Sequence, residues 1–415
     1  MNPTVHPSRR QLFLGTAVAA LATPALMTTA AAAPPWKAGF DTGPVDAALA
    51  AMLRDGAVGV TASVVGPRGS YLTAVGRRDL QKDGAKPQDR ARIASITKAM
   101  IATLVMQRIE AGQWTLRTTI DQVTPGLYPG RGAVTVSQLM NHTSGMPDGL
   151  YRLLPETPWY TWTVQDLERA VVPYHSEEEL VQLSRSLPWE FEPGTGWSYS
   201  NAGYVVLSLM LEAATGSRIQ DLIRDRVFKP AGMHHSRLEE STLVRGRYLL
   251  PYGRFSAGLA PLPRVNPSIF SGAGGVYATA EDVTNFTGAL MRGELLRKDL
   301  VDAMVTPVGA AAARRYGYGL YLITGPCRTA AGAPETLIGH DGAGFGTLSV
   351  SFTTRDASRR VALAFTGRPY VETGPDPDMN AVLVAGFRAT CPAGSAPVPA
   401  PGLGSAAGGA GFFRL

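Results

Sequence analysis

Residues 94–112 read Ala94-Ser95-Ile96-Thr97-Lys98-Ala99-Met100-Ile101-Ala102-Thr103-Leu104-Val105-Met106-Gln107-Arg108-Ile109-Glu110-Ala111-Gly112. Ile96, Met100, Leu104, Val105 and Ile109 recur at helical spacing, and Gly112 stands where a helix usually stops. The spacing predicts a buried helix opened by Ser95. A hydroxyl there lies at the positive end of the helix dipole, and the Ser95 N–H is one of the unpaired donors of the first turn. Lys98 is one turn further along the same face. A partly desolvated lysine so placed can hold the serine proton or tune the group that does. Ser95 alone would equally suit a helix cap followed by a surface lysine. One S-x-x-K is weak, since about one arises by chance in a chain of this size.

Two further motifs follow in order. Tyr199-Ser200-Asn201 lies after the turn Pro193-Gly194, at the start of a helix expected to end at Gly216. Tyr199 and Asn201 thus stand at a loop-to-helix junction, where side chains can enter a cleft. A phenol has a free pKa of about 10, so a Tyr199 base needs cationic neighbours worth about 4 kcal/mol for three units. Lys98 and His340 are the expected source of that field. His340-Asp341-Gly342 precedes Thr347–Thr353, an alternating strand. Glycines beside a strand allow a ligand backbone to approach, and a substrate can add to the edge. The Ala343 N–H would then complete an oxyanion hole with that of Ser95. Each of the three motifs, Ser-x-x-Lys, Tyr-x-Asn and His-x-Gly, occurs once in the chain.

In this order the motifs resemble those of the serine β-lactamase/penicillin-binding superfamily, specifically the class C β-lactamase and secreted DD-carboxypeptidase branch. The resemblance runs from about Gly59 to Cys391 and extends to Leu139–Pro147, Pro230–Met233 and Ser271–Thr279. It implies Ser95 as nucleophile, Lys98 and Tyr199 as proton handlers, and Asn201 as a substrate-amide contact. His340 takes the place of the third-motif lysine, with Gly342 and Ala343 along the substrate. Its similar secreted peptidases carry a threonine between the His and Gly, another after the Gly, and an arginine after the Tyr-Gly-x-Gly-Leu strand. These hold the substrate carboxylate. Here the places are taken by Asp341, Ala343 and Tyr321.

The implied fold is α+β: an antiparallel sheet flanked by helices, with an inserted mostly helical lobe. Gly59–Val65 and Tyr71–Val75 predict a hairpin. Gly317–Leu322, Thr347–Thr353 and Arg360–Phe365 predict late strands, and Met379–Thr390 a closing helix. Residues 33–391 form the hydrolase domain. Its α/β lobe covers about 33–125 and 265–391, its helical lobe about 126–264, and the cleft lies between them.

Residues 1–32 read as a leader. Ser8-Arg9-Arg10-Gln11-Leu12-Phe13-Leu14 resembles a twin-arginine export signal, and Ala30-Ala31-Ala32 offers a cleavage site. Its apolar run, broken by Gly15 and Pro24, falls short of the ~20 residues of a membrane span. The expected location is extracellular, without a membrane anchor. In that setting the two cysteines, Cys327 and Cys391, are expected to pair, as in the secreted peptidases that the chain resembles. Residues 392–415 are rich in Ala, Gly and Pro and read as a disordered tail.

The net charge is +6, and removing Arg9 and Arg10 with the leader lowers it to +4. That suits loose attraction to an anionic envelope, and no basic patch points to nucleic acid. There is no Gly-x-Ser-x-Gly elbow, His-Glu-x-x-His, Cys/His metal cluster or dinucleotide loop, so no metal and no cofactor is expected. The expected protein is a monomeric hydrolase acting through an acyl-enzyme on a small peptide, ester or β-lactam, with peptidoglycan a further partner. A D-alanyl-D-alanine carboxypeptidase stands first. An esterase, D-amino-acid amidase or β-lactamase on the same scaffold is the alternative, and a silent peptidoglycan or penicillin binder is one of another class.

Overall fold

The computed structural model describes residues 39–392 apart from Glu240, Pro263, Glu372, Thr373 and Pro375, together with Gly394 and Val398. The leader and most of the tail lie outside the described residues. The strands are β1 (Gly59–Gly66), β2 (Gly69–Gly76), β3 (Ala91–Arg92), β4 (Arg237–Leu238), β5 (Tyr252–Phe255), β6 (Gly258–Pro261), β7 (Val276–Ala278), β8 (Tyr321–Arg328), β9 (Pro334–Gly344), β10 (Thr347–Thr354), β11 (Arg360–Thr366) and β12 (Arg368–Pro369). The helices are α1 (Gly43–Arg54), α2 (Thr97–Glu110), α3 (Ile120–Val123), α4 (Val136–Met140), α5 (Val164–Val171), α6 (Glu177–Arg185), α7 (Asn201–Thr215), α8 (Ile219–Ile223), α9 (Ala280–Arg292), α10 (Lys298–Met304) and α11 (Met379–Ala389).

The main sheet is antiparallel with order β2-β1-β11-β10-β9-β8. The early hairpin therefore pairs with a late strand, Val60 opposite Phe365 and Val64 opposite Val361. Both faces of the sheet are covered. Along β10, Leu348, Val350 and Phe352 share a core with Val45, Leu49 and Met52 of α1 and with Val382, Leu383 and Phe387 of α11. Their neighbours Ser349, Ser351 and Thr353 are buried on the other face, where Ser349 Oγ donates to the Ile93 carbonyl at 2.9 Å. Small polar residues on that face let helices come close. A fully buried Val, Leu or Phe is worth about 1.5–3 kcal/mol, so the three apolar residues of α11 supply much of its hold on the sheet.

Helix α2 runs through a second core with α7 and α9, in which Met100, Ile101, Val105 and Met106 meet Val206, Leu207, Met210 and Phe286. It is buried nearly all round until its last turn, as its apolar sequence predicts. Helix α7 ends at left-handed Gly216 as expected. Among the described residues no helix is long and apolar enough to cross a membrane.

Three expectations change. The strand placed at 317–322 begins only at Tyr321. Gly319 has φ +74°, and a Cβ there would lie 2.9 Å from the Lys98 carbonyl, so 317–320 turn against α2 instead of extending. The stretch 126–264 carries helices but also the hairpin β5–β6, which pairs with β12. Val398, within the expected tail, donates its N–H to the Pro326 carbonyl at 3.0 Å and is buried.

Cys327 of β8 and Cys391 after α11 form a disulfide with Cα atoms 5.8 Å apart and a sequence separation of 64. Non-reducing peptide mapping should recover this single cross-link, and two free thiols would contradict it. By chain-entropy reasoning, the double Ser variant should lose about 4 kcal/mol or less in denaturant unfolding.

Candidate active site

Ser95 sits in the 3-10 turn Ala94–Ile96 just before α2. Ala94 has φ +45°, a costly backbone for an alanine, and it turns Ser95 outward so that the serine is part-exposed among buried neighbours. Its hydroxyl does not cap the helix but accepts a hydrogen bond from Lys98 Nζ at 3.0 Å. Lys98 is fully buried, and its other two protons go to Asn201 Oδ1 and the Ala273 carbonyl, each at 2.7 Å. Burial pushes Lys98 down to about 7, against the opposing pull of Asp148 and Asp341. The amine is therefore part-neutral near pH 7, beside the hydroxyl whose proton it would accept.

Ser200 caps α7 through the Gly203 N–H and leaves Tyr199 and Asn201 on either side. The Tyr199 hydroxyl is buried and hydrogen-bonded to Ser95, with Lys98 Nζ 4.9 Å from its ring centroid. Burial holds this phenol well above its usual range, and the Ser95 bond only partly opposes that. The expected cationic field is absent, because Lys98 is itself depressed and His340 is neutral. Tyr199 is thus a proton donor in the free protein. Asn201 is drawn inward: Oδ1 accepts from Lys98, and Nδ2 donates to Asp148 Oδ2 at 2.6 Å. It links Lys98 to a buried carboxylate before any substrate is present.

The third motif lies on β9. Burial pushes His340 down to about 3, so it carries no charge at neutral pH. Both ring nitrogens are used, Nε2 with the Tyr316 hydroxyl at 2.8 Å and Nδ1 with the Asp341 carbonyl at 2.5 Å. The chain continues from Tyr316 to His142 Nε2 at 3.2 Å, and His142 Nδ1 takes the Ser200 N–H at 3.2 Å. Its polarity follows from the chemistry. The Ser200 amide can only donate, so His142 Nδ1 accepts, and neutral His142 donates from Nε2 to Tyr316. Tyr316 then donates to His340 Nε2, and His340 Nδ1–H donates to the Asp341 carbonyl. This one-way chain ties the Tyr199 loop to β9. It replaces the expected role of His340 as a cation.

Asp341 and Tyr321 bind each other rather than facing open space. The Tyr321 hydroxyl donates to Asp341 Oδ1 at 2.8 Å, both residues are buried, and burial raises Asp341 to about 6. Gly342 also serves the protein itself: a Cβ there would lie 2.2 Å from the Ile93 carbonyl, so glycine lets β9 press against the Ser95 turn. Ala343 lies further along the same strand. Strand β8 pairs with β9 only up to Gly339, leaving 340–344 with an open edge. The Asp341 N–H reaches toward Tyr321 on that side, and alternate amides of a strand point the same way, so the Ala343 N–H points off the open edge.

Five non-glycine residues among those described have left-handed backbones: Ala94, His142, Ser271, Arg315 and Ala357. The first four adjoin or belong to the constellation of Ser95, His142, Ala273 and Tyr316, which is where strain is expected to collect in a working site. The sequence motifs brought Ser95, Lys98, Tyr199, Asn201 and His340 together. Asp148, His142, Tyr316 and Ala273 were missed, although all lie in or beside stretches that carry the family pattern.

The β-lactamase family model matches residues 45–385. Penicillin-binding protein 4* of Bacillus subtilis (strain 168) is 27% identical over 248 residues, covering 56% of this chain and 52% of that protein. D-aminopeptidase of Cereibacter sphaeroides is 25% identical over 266 residues, covering 63% and 47%. The chain thus spans about half the length of the curated relatives it matches. A D-stereospecific amidohydrolase from Streptomyces sp. superposes with a TM-score of 0.67 at 26% identity, over 84% of this chain and 98% of that one. The family match spans most of the chain and takes in every residue of the serine constellation, so the protein belongs to the β-lactamase family.

Proposed function

We propose that this chain is a serine hydrolase that works through an acyl-enzyme on small amides, esters or short peptides of D-amino acids. The observation that carries the reading is Lys98 Nζ, 3.0 Å from Ser95 Oγ and held near pKa 7 by burial. Neutral Lys98 takes the Ser95 proton as Oγ attacks the substrate carbonyl. The N–H groups of Ser95 and Ala343 hold the oxyanion. The Tyr199 phenol protonates the departing amine or alkoxide and is reprotonated by Lys98. Water then enters by the same steps in reverse and frees the acyl group and Ser95.

The leaving-group preference rests on Asp341 and Tyr321. They stand where the secreted peptidases of the family carry carboxylate-binding groups, and here they satisfy each other. A charge-assisted hydrogen bond is worth about 1.5–3 kcal/mol, so its loss lowers turnover of a free-carboxylate peptide by ~10- to 100-fold. The name of the Streptomyces amidohydrolase and that of the D-aminopeptidase favour the same direction. The penicillin-binding relatives favour the carboxypeptidase reading instead. The two separate on kcat/KM for a peptide ending in D-Ala-D-Ala against its C-terminal amide. The amide should be cleaved at least as fast, whereas a ten-fold preference for the free acid would restore the carboxypeptidase. Ser95→Ala should abolish both activities and fluorophosphonate labelling, and labelling that survives it sinks the mechanism.

The pH profile tests the base. Lys98 must be neutral to accept a proton, so kcat/KM should rise with pH through about 7. The Asp341 carboxylate favours the ammonium form, so Asp341→Asn should move that limb to lower pH. A limb near pH 4 in the unaltered protein would make a carboxylate the base and remove Lys98 from the role.

Export accords with the disulfide. Arg9→Lys together with Arg10→Lys should trap the precursor inside the cell, and undiminished secretion would exclude a twin-arginine route.

A further inference from the structure

Lys98 has three acceptors, and the Ala273 carbonyl is held by something other than regular secondary structure. It ends the short turn Ser271–Ala273, whose first residue has a left-handed backbone at φ +43°. The Ser271 carbonyl takes the N–H groups of Gly274 at 3.2 Å and Gly275 at 2.9 Å. Gly272 packs so tightly that a Cβ would fall 1.9 Å from Ser208 Oγ. A serine in this conformation costs free energy and persists only if its surroundings over-determine it. The side-chain restraint is Glu177, the first residue of α6, which accepts a hydrogen bond from Ser271 Oγ.

We propose that Glu177 is a positioning residue for the catalytic lysine: its hydrogen bond to Ser271 locks the left-handed turn that aims the Ala273 carbonyl at Lys98 Nζ. Glu177 accepts its hydrogen bond from Ser271 rather than from Ser95 or Lys98. It reaches the chemistry through Ser271, two residues of backbone and one carbonyl. Its surroundings fit a group kept for its hydrogen bond rather than its charge. Burial, against the opposing Ser271 bond and with the help of Glu212 of α7 and Glu178 of α6, raises it to about 7. The consequence for turnover rests on the reading of Lys98 as the Ser95 base, but the hydrogen-bond link itself does not.

The test follows the ionisation of Lys98 by NMR of 13C-lysine-labelled protein, with its signal assigned by its loss in Lys98→Arg. The carbonyl stabilises the ammonium form, so freeing it lowers the pKa. In Glu177→Ala the Lys98 midpoint should fall by about 0.5–1 pH unit. Ser271→Ala removes the hydroxyl but keeps the cost of the left-handed backbone, so it should show the same sign. Glu177→Gln removes the charge but keeps the acceptor oxygen, so its midpoint should stay at the wild-type value. A midpoint unmoved in both Glu177→Ala and Ser271→Ala overturns the inference. So does a Gln variant shifted as far as the Ala variant, since charge and not the hydrogen bond would then be the cause. Fluorophosphonate labelling rates measured on the same samples separate the two readings. A wild type that never labels but shows the expected shifts would defeat the serine-hydrolase reading and leave the positioning role standing.

Discussion

The burial of one ammonium group organises this molecule. Lys98 lies in the first turn of α2 with no water contact, and an isolated charge there would cost several kcal/mol. The structure answers with three acceptors from three parts of the chain: the Ser95 hydroxyl, the Asn201 amide and the Ala273 carbonyl. Each acceptor has its own support. Asn201 is anchored on Asp148, Ala273 on the Ser271 turn, and Ser95 on the left-handed Ala94. Much of the architecture around the cleft thus serves to set how far one amine is desolvated, and with it how readily the amine gives up its proton.

This explains why the site needs two cores rather than one. Helix α2 must be covered by α7 and α9 to keep water from Lys98, which makes the helical core. Strand β9 must come close on the other side, which the sheet provides and Gly342 permits. Ser95 is where the two meet, part-exposed while the groups that tune it are buried. Helices α1 and α11, with the Cys327–Cys391 disulfide, back the sheet and hold β9 in register with β10.

The parts of this arrangement that depend on local spacing were legible in the sequence. Ser95 and Lys98 lie one helical turn apart, Tyr199 and Asn201 flank a cap, and the hairpin and the strands β10 and β11 announce themselves by turn residues and alternation. What depends on burial was not legible. His340 carries no sign in the sequence that it is neutral, because that follows from its burial, and its place in the donor chain depends on a tyrosine 24 residues away and a histidine on another segment. Asp341 reads as a charge beside substrate until Tyr321 is seen to cover it. The strand expected at 317–322 failed for a similar reason: Gly319 is dictated by the backbone of α2, a tertiary neighbour that the periodicity of β8 does not contain. Asp148, Tyr316 and Ala273 sat in or beside recognised stretches, but only the fold shows that they meet Asn201, His340 and Lys98.

The neutral histidine has a last consequence. A second buried cation beside Lys98 would repel the ammonium and depress its pKa further, leaving a weaker base. With His340 uncharged and tied into a chain of donors that ends on the Asp341 carbonyl, the amine stays near neutrality, where the product of free base and basicity is greatest. The negative charge that develops on an attacked carbonyl must then be met by dipoles instead of a fixed cation. In the proposed mechanism the N–H groups of Ser95 and Ala343 would meet that charge, and dipoles need no counter-charge and no reorganisation when an oxyanion forms. On that reading the third motif would work through its backbone. Its side chains are spent on holding that backbone still.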